Sequence, residues 1–498
     1  MGMLINTDGR RFSSAALDGA ITAVVRELRR HGITQDDRVM LTGANTEKFV
    51  LVLFALMELG TSIALVDRRT PAAEQARLLI GADASRLVTD APLPAGSTEI
   101  DQLSLEDLCA TALARAAIAD RAPDCGPASS FGRDRLARFS RWFAREDALI
   151  VWSSGSTGTP KGIVRSGASV RANTERTSAR MAYRATDVLL PLLPFTHQYG
   201  LSMLLLWQDT GCALVLQTSS QRVDAALAAI RSHRVTVVDA VPATYHTLLN
   251  LLESGRGSED WLSTVRMWCV GGEPLGSEPR QRFADRIGRP LLDGYGSSEA
   301  GNIALAVPPT PIGCGRPLQG IAVRVVDGAG MPVAPGTVGE IVVRTPDYMT
   351  GLLGPGGTVL AMEHAEYRTD DIGQIDVQGN LTVLGRRAAV HRLGHTLYPD
   401  GIADRASACG ALVRVIPVVP EGSDSRAQLV FFVADRAERS AAHWRSAVAE
   451  HIAEHERPNR VVVVPEFPIN RTGKVDRQSL QRLAESAVAR DAKKGELQ

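Results

Sequence analysis

Apolar positions along the chain recur with two periods. Leu17, Ile21, Val24, Val25 and Leu28 fall three or four apart, the spacing of one helix face. Ser13 or Ser14 can cap that helix and His31-Gly32 can stop it. Val39–Leu41 reads as a short strand, Glu47–Leu59 as a nearly all-apolar buried helix, and Ser62–Val66 as the next strand. Such βα alternation predicts layered α/β structure. Residues 120–137 are rich in Pro, Gly, Ser and Arg without periodicity and predict a surface loop. Leu149–Trp152 predicts a strand that runs into a glycine-rich loop, and Val235–Val238 and Val265–Val270 predict further strands.

From Ile321 the pattern changes to short strands between Gly/Pro turns: Ala322–Val326, Gly339–Arg344 and Leu381–Leu384. After Gly385 a mixed pattern restarts, with strands near Leu412–Val419, Gln428–Ala434 and Val461–Val464 and a helix bearing Trp444, Val448 and Ile452. The expected fold class is therefore α/β. A large layered domain with a β-rich subdomain, 1–384, precedes a small α+β domain, 385–498.

Composition narrows the function. Lys plus Arg and Asp plus Glu each total 55, so no net charge points to nucleic acid or an anionic surface. No apolar stretch approaches the ~18 residues of a membrane span. Six scattered cysteines and ten scattered histidines show no zinc spacing. The cysteines read as reduced thiols of a cytoplasmic chain. Only five basic residues are Lys (48, 161, 474, 493 and 494), and Lys161 and Lys474 stand in Gly-containing loops.

Residues 152–162 read WSSGSTGTPKG. Ser153, Ser154, Gly155, Ser156, Thr157, Gly158 and Lys161 offer backbone amides, hydroxyls and one point charge to a phosphate. The bland alternative is a flexible Gly/Ser loop. The Walker pattern fails at Pro160 and Gly162. No GxGxxG occurs, because GYGSSE at 294–299 puts Glu where the third glycine belongs, and no GxSxG occurs.

This loop resembles that of the AMP-forming acyl/aryl-CoA synthetases, firefly luciferases and peptide-synthetase adenylation domains. The resemblance continues in order through Gly271-Gly272-Glu273-Pro274-Leu275, DGYGSSE at 293–299, GEIVVRTPDYMTG at 339–351, YRTDDIG at 367–373, Gly385-Arg386 and NRTGKVDR at 470–477. It implies activation of a carboxylic acid by ATP and Mg²⁺, then transfer to coenzyme A. A separate carrier protein is the alternative acceptor. A pseudo-enzyme of the same fold is disfavoured by intact Lys474, Glu299 and Asp371.

The resemblance also assigns residues. The 153–161 loop takes the phosphates. Gly272, Glu273 and Pro274 form the adenine-side turn, and Asp293, Gly294, Tyr295, Gly296 and Ser298 complete the nucleotide site. Tyr295, sparsely packed between glycines, offers its face to adenine. Glu299, placed on a tight Gly-rich turn, holds Mg²⁺, or else caps a following helix. Asp371 accepts the ribose hydroxyls with Arg386 beside it, while Asp370 stands where the family has Gly. Lys474 bridges carboxylate and α-phosphate after rotation of the C-terminal domain about a hinge at Gly385. The segment reaching Gly394 is one residue short of the usual pattern, with Ala388 or Ala389 in place of the hinge acid. His197, Tyr199, Asp239, Gly271 and Gly301 are expected around the acid, with His197 also counted as catalytic beside Lys474 and Glu299. His197 has a core histidine as its bland reading, and Asp239 an ordinary strand-end residue.

Overall fold

The computed structural model describes residues 2–6, 8–119, 134–153, 160–218, 222–255, 259–362, 366–386, 390–392, 395–418, 427–470 and 474–495. The chain groups into two compact units. The first holds Met1–Gly272, Leu291–Ala322 and Arg344–Glu366, and the second Glu273–Pro290, Val323–Val343 and Tyr367–Gln498.

In the first unit the helix Ser14–Arg30 starts where Ser13 accepts from the backbone N–H of Ala16 and ends at His31. The helix Glu47–Leu59 is capped by Thr46 and closed by left-handed Gly60, and almost every side chain on it is buried. An all-apolar helix has no face for water, so it lies between layers. It shares one core with Leu17, Ile21, Trp142, Phe139, Phe195 and Trp207. Arg38–Thr42 and Ser62–Leu65 pair in parallel in an eight-stranded sheet. That sheet also carries the antiparallel pair Leu149–Ser153 and Lys161–Arg165.

The second sheet of this unit has nine strands in the order Arg316–Pro317, Gly301–Leu305, Leu291–Ser297, Met267–Gly271, Val237–Ala240, Val188–Pro191, Ala213–Val215, Leu4–Ile5 and Arg11–Phe12. The five strands from Leu291–Ser297 to Ala213–Val215 run parallel. The chain leaves Val188–Pro191 to one side and then returns to its other side, so the strand order reverses there.

In the second unit Ala322–Val326, Gly339–Arg344, Tyr367–Ile375 and Leu381–Arg386 form a four-stranded sheet. Val413–Val418, Gln428–Ala434 and Arg460–Val464 form a three-stranded one. The strand QLVFFVA is buried on both faces. Phe431 packs with Trp444 and Val448, and Phe432 with Phe467 and Leu480.

Two local expectations need correction. DGYGS is a strand rather than a turn, and the turn lies at 298–300. Glycine permits this, since a Cβ on Gly296 would sit 2.6 Å from the carbonyl oxygen of Gly301 in the paired strand. Residue 137, placed at the end of the surface loop, instead opens a short 3₁₀ turn, Ala137–Phe139, whose Phe139 is buried. Residues 120–133 of that loop lie outside the described residues. Among the described residues no helix is long and apolar enough to cross a membrane. Their five cysteines are free thiols.

Candidate active site

The strands Leu149–Ser153 and Lys161–Arg165 put Ser153 and Lys161 directly opposite each other. They form the base of the glycine-rich loop, whose residues Ser154–Thr159 lie outside the described residues. Lys161 is exposed. At the far end of its strand Arg165 is fully buried. Its Nη2 donates to the Asp347 carbonyl at 3.0 Å, while Nε and Nη1 find no acceptor among the described residues. Burial drives this guanidinium down to about 10, against the opposing charges of Asp347 and Glu299. A Cβ on Gly301 would lie 3.0 Å from Arg165 Nη1 and 2.5 Å from Asn173 Oδ1. Gly301 also has φ +72°, so glycine is required there twice over.

Glu299 is half-buried on the 298–300 turn. A strand follows it, Gly301–Leu305, so the helix-cap reading fails. Its charge and, more strongly, burial push the Tyr348 phenol up to about 12. No cluster of three or more His, Cys, Asp or Glu that could hold a metal occurs among the described residues. A single open carboxylate still suits Mg²⁺, which takes one or two carboxylates and completes its shell with phosphate oxygens and water.

Tyr295, expected to be sparsely packed, is only 8% exposed. It sits inside a strand pair, opposite Ala304, rather than on a turn. Asp293 is buried in register with Val270, and Gly294 with Gly271. Gly272 has φ +89° and turns the chain out of the sheet.

Two carboxylates mark the carboxyl ends of the strands. His197 precedes the helix Gln198–Thr210 and donates from Nε2 to Asp67 Oδ2 at 3.2 Å. Asp67 also takes Arg69 through Nε at 3.1 Å and Nη2 at 3.0 Å. Burial pushes the Asp67 carboxyl up, but the His197 bond, the Arg69 backbone N–H and the Arg69 guanidinium outweigh it, leaving it below the usual carboxylate range. His197 thus has an acidic partner 130 residues away that no local pattern announces.

Asp239 is 2% exposed, so the surface reading fails. Tyr199 donates to its Oδ1 at 2.9 Å. Its Oδ2 has no partner among the described residues. Burial drives the Asp239 carboxyl up to about 7, opposed only by the Tyr199 bond.

In the second unit Asp371 and Arg386 are directly paired across two antiparallel strands. The Arg386 side chain and Gly394 lie outside the description. Asp370 adopts φ +58°, a left-handed conformation that explains a glycine preference at this point. Lys474 donates its backbone N–H to Asn470 Oδ1 at 3.0 Å, and Val475 N–H donates to Glu273 Oε1 at 3.1 Å. Burial raises the Glu273 carboxyl, and the cations Arg414, Lys474 and Arg477 oppose it. Glu273 thus anchors the lysine loop. Arg414, Arg477, Asp67 and Arg165 were not legible as site neighbours, since each acts across distant chain segments.

A family model described as "AMP-binding enzyme" matches residues 3–353. The chain is 26% identical over 494 residues to an indoleacetate–CoA ligase of Aromatoleum aromaticum, covering 95% of this chain and 93% of that one. It is 27% identical over 494 residues to a 2-succinylbenzoate–CoA ligase of Geobacillus kaustophilus, covering 96% and 94%. The fold matches the solved structure of the anthranilate CoA ligase AuaEII in complex with anthranoyl-AMP with a TM-score of 0.81 at 20% identity, over 98% of this chain and 95% of that one.

Proposed function

The chain belongs to the AMP-binding enzyme family, and from that premise we propose that it is an AMP-forming acid–thiol ligase: it activates a small carboxylic acid with ATP and passes the acyl group to coenzyme A. The near full-length match to two acid–CoA ligases carries this reading.

In the first half-reaction a carboxylate oxygen attacks the α-phosphorus of ATP. An acyl–O–P bond forms, the Pα–O–Pβ bond breaks, and pyrophosphate leaves with the electron pair. Two anions must meet, so neutralisation and positioning dominate the barrier. The 153–161 loop with Lys161 cradles the β- and γ-phosphates. Glu299 would hold Mg²⁺, which would supply further neutralisation of the charge on the leaving pyrophosphate. Asp371 and Arg386, opposite each other on their strands, suit the ribose. Tyr295, with Gly272, Glu273 and Pro274, flanks the adenine. Lys474 carries its charge to the carboxylate and α-phosphate, on a loop that Glu273 steadies.

In the second half-reaction the thiol sulfur attacks the acyl carbon and loses its proton. The bond to AMP breaks and AMP departs. The C-terminal part rotates about Gly385 between the two steps, withdrawing Lys474 as the pantetheine arm enters.

Lys474→Ala tests this sequence of events. Acyl-adenylate formation should fall on the order of 10²–10³-fold, the effect of removing one preorganised charge from a reacting centre. Thiolysis of a supplied acyl-adenylate should survive. Equal loss in both halves would contradict the rotation and the assigned role.

A further inference from the structure

The strand Lys161–Arg165 begins beside the glycine-rich loop and ends on a fully buried cation, Arg165. A buried guanidinium is costly unless a carboxylate and enough acceptors surround it. The one hydrogen bond of Arg165 goes to a main-chain carbonyl, that of Asp347. The Asp347 carboxylate, equally buried, is already taken. Arg176 Nη1 donates to its Oδ1 at 2.6 Å and Asn173 Nδ2 to its Oδ2 at 3.1 Å. Two guanidiniums therefore share one buried carboxylate, and Nε and Nη1 of Arg165 have no acceptor among the described residues. A methionine could fill this space without an orphaned donor. Local rules broken in this way, with no gain in packing, mark functional positions.

The orphaned Nη1 lies 3.0 Å from where a Cβ on Gly301 would stand, at the end of the 298–300 turn that carries Glu299. Asn173 pins the same place. Asn302 N–H donates to Asn173 Oδ1 at 2.9 Å, and Asn173 Nδ2 donates to the Asn302 carbonyl at 2.9 Å. The turn therefore cannot drift away from the guanidinium. Two negative charges act on Arg165, those of Asp347 and Glu299. With Asp347 bound to Arg176, Glu299 completes the balance, two cations to two anions. A carboxylate that is itself held by a partner binds a metal more tightly, and loss of such a partner typically costs about 10–100-fold in metal affinity.

We propose that Arg165 is a positioning residue of the adenylation step: its buried, half-paired guanidinium is the counter-charge that holds the Glu299 carboxylate in place for the Mg²⁺ of ATP. The proposal rests on the metal role given to Glu299 above. Calorimetric binding of ATP to the full chain, without acid and therefore without turnover, tests it in Mg²⁺ and in EDTA. The quantity read is the factor by which Mg²⁺ tightens ATP. Arg165→Met should cut that factor about tenfold or more, and Arg165→Lys, which keeps the charge but not the fork, by less. Without nucleotide the methionine variant should unfold at a urea concentration no lower than the wild type, because the orphaned donors are gone. Glu299→Gln should also cut the factor, and Arg165→Met added to it should then cut no further. An undiminished factor in Arg165→Met would leave Arg165 a purely structural residue and overturn the proposal. So would a loss that adds in full to that of Glu299→Gln, since Arg165 would then act by another route. Should the methionine variant fail to fold, Arg165→Lys crossed with Glu299→Gln decides by the same coupling. Glu299→Gln with an undiminished factor would instead overturn the metal role of Glu299 itself, a distinct result.

Discussion

Two buried aspartates on the same sheet have opposite fates. Asp187 immediately precedes the strand Val188–Pro191 at its amino end and is 3% exposed. It takes Arg266 through Nε at 2.8 Å and Nη2 at 2.5 Å, Thr236 Oγ1 at 2.8 Å and the Arg184 N–H at 2.7 Å. Burial pushes its carboxyl up, but these donors outweigh it and hold it below the usual range. Asp239, in the adjoining strand near the carboxyl end, is as deeply buried and has one donor. Its carboxyl rises instead. At one end of the sheet the buried carboxylate is fully paired, and near the other a carboxylate as deeply buried has a single donor. Burial alone does not decide which way a carboxyl shifts; the count of donors does.

Asp187→Ala should break the fully paired end and cost about 3–5 kcal/mol in denaturant unfolding, the effect of removing one partner of a satisfied buried pair. The kcat/KM per folded molecule should not change. Because the folded-state carboxyl is depressed, its contribution is present above about pH 4 and fades as pH falls through the folded value. A variant as stable as the wild type at pH 7 would dissolve the contrast.

Asp239→Leu should act with the opposite sign. A raised carboxyl keeps its proton in the folded state where the unfolded chain has lost it, so this group destabilises the wild type as pH rises from about 4 through about 7. The leucine variant should therefore gain stability relative to the wild type across that window and level off above it. The upper bound is about 4 kcal/mol, by conversion of the shift. Urea midpoints at pH 5 and pH 8 measure it. A difference that does not vary with pH would mean that Asp239 is not raised.

Local physics made much of the fold legible. Thr46 and Gly60 bracket an unbroken apolar run, so the helix Glu47–Leu59 is readable residue by residue. Ser13 and the 17-21-24-28 spacing define Ser14–Arg30 in the same way. DGYGS was misread as a turn because glycine marks turns and also strands whose partner backbone comes very close. Asp371 and Lys474 could be named as candidates because one local motif carries each. Pairings between distant segments were illegible. The bond from His197 to Asp67 and the bond from Tyr199 to Asp239 depend on which strand lies beside which. The Gly-to-Asp change at position 370 was visible in the sequence, but only its φ of +58° gives the change a physical meaning.

The central claim is acid-dependent splitting of ATP between its α- and β-phosphates. The most direct measurement incubates the protein with ATP, Mg²⁺ and a panel of small carboxylic acids, with and without coenzyme A, and resolves the nucleotide and phosphate products. The account predicts AMP and pyrophosphate in equal amounts, formed only with a cognate acid and accelerated by coenzyme A as the acyl-adenylate is consumed. ADP and orthophosphate as products would contradict it.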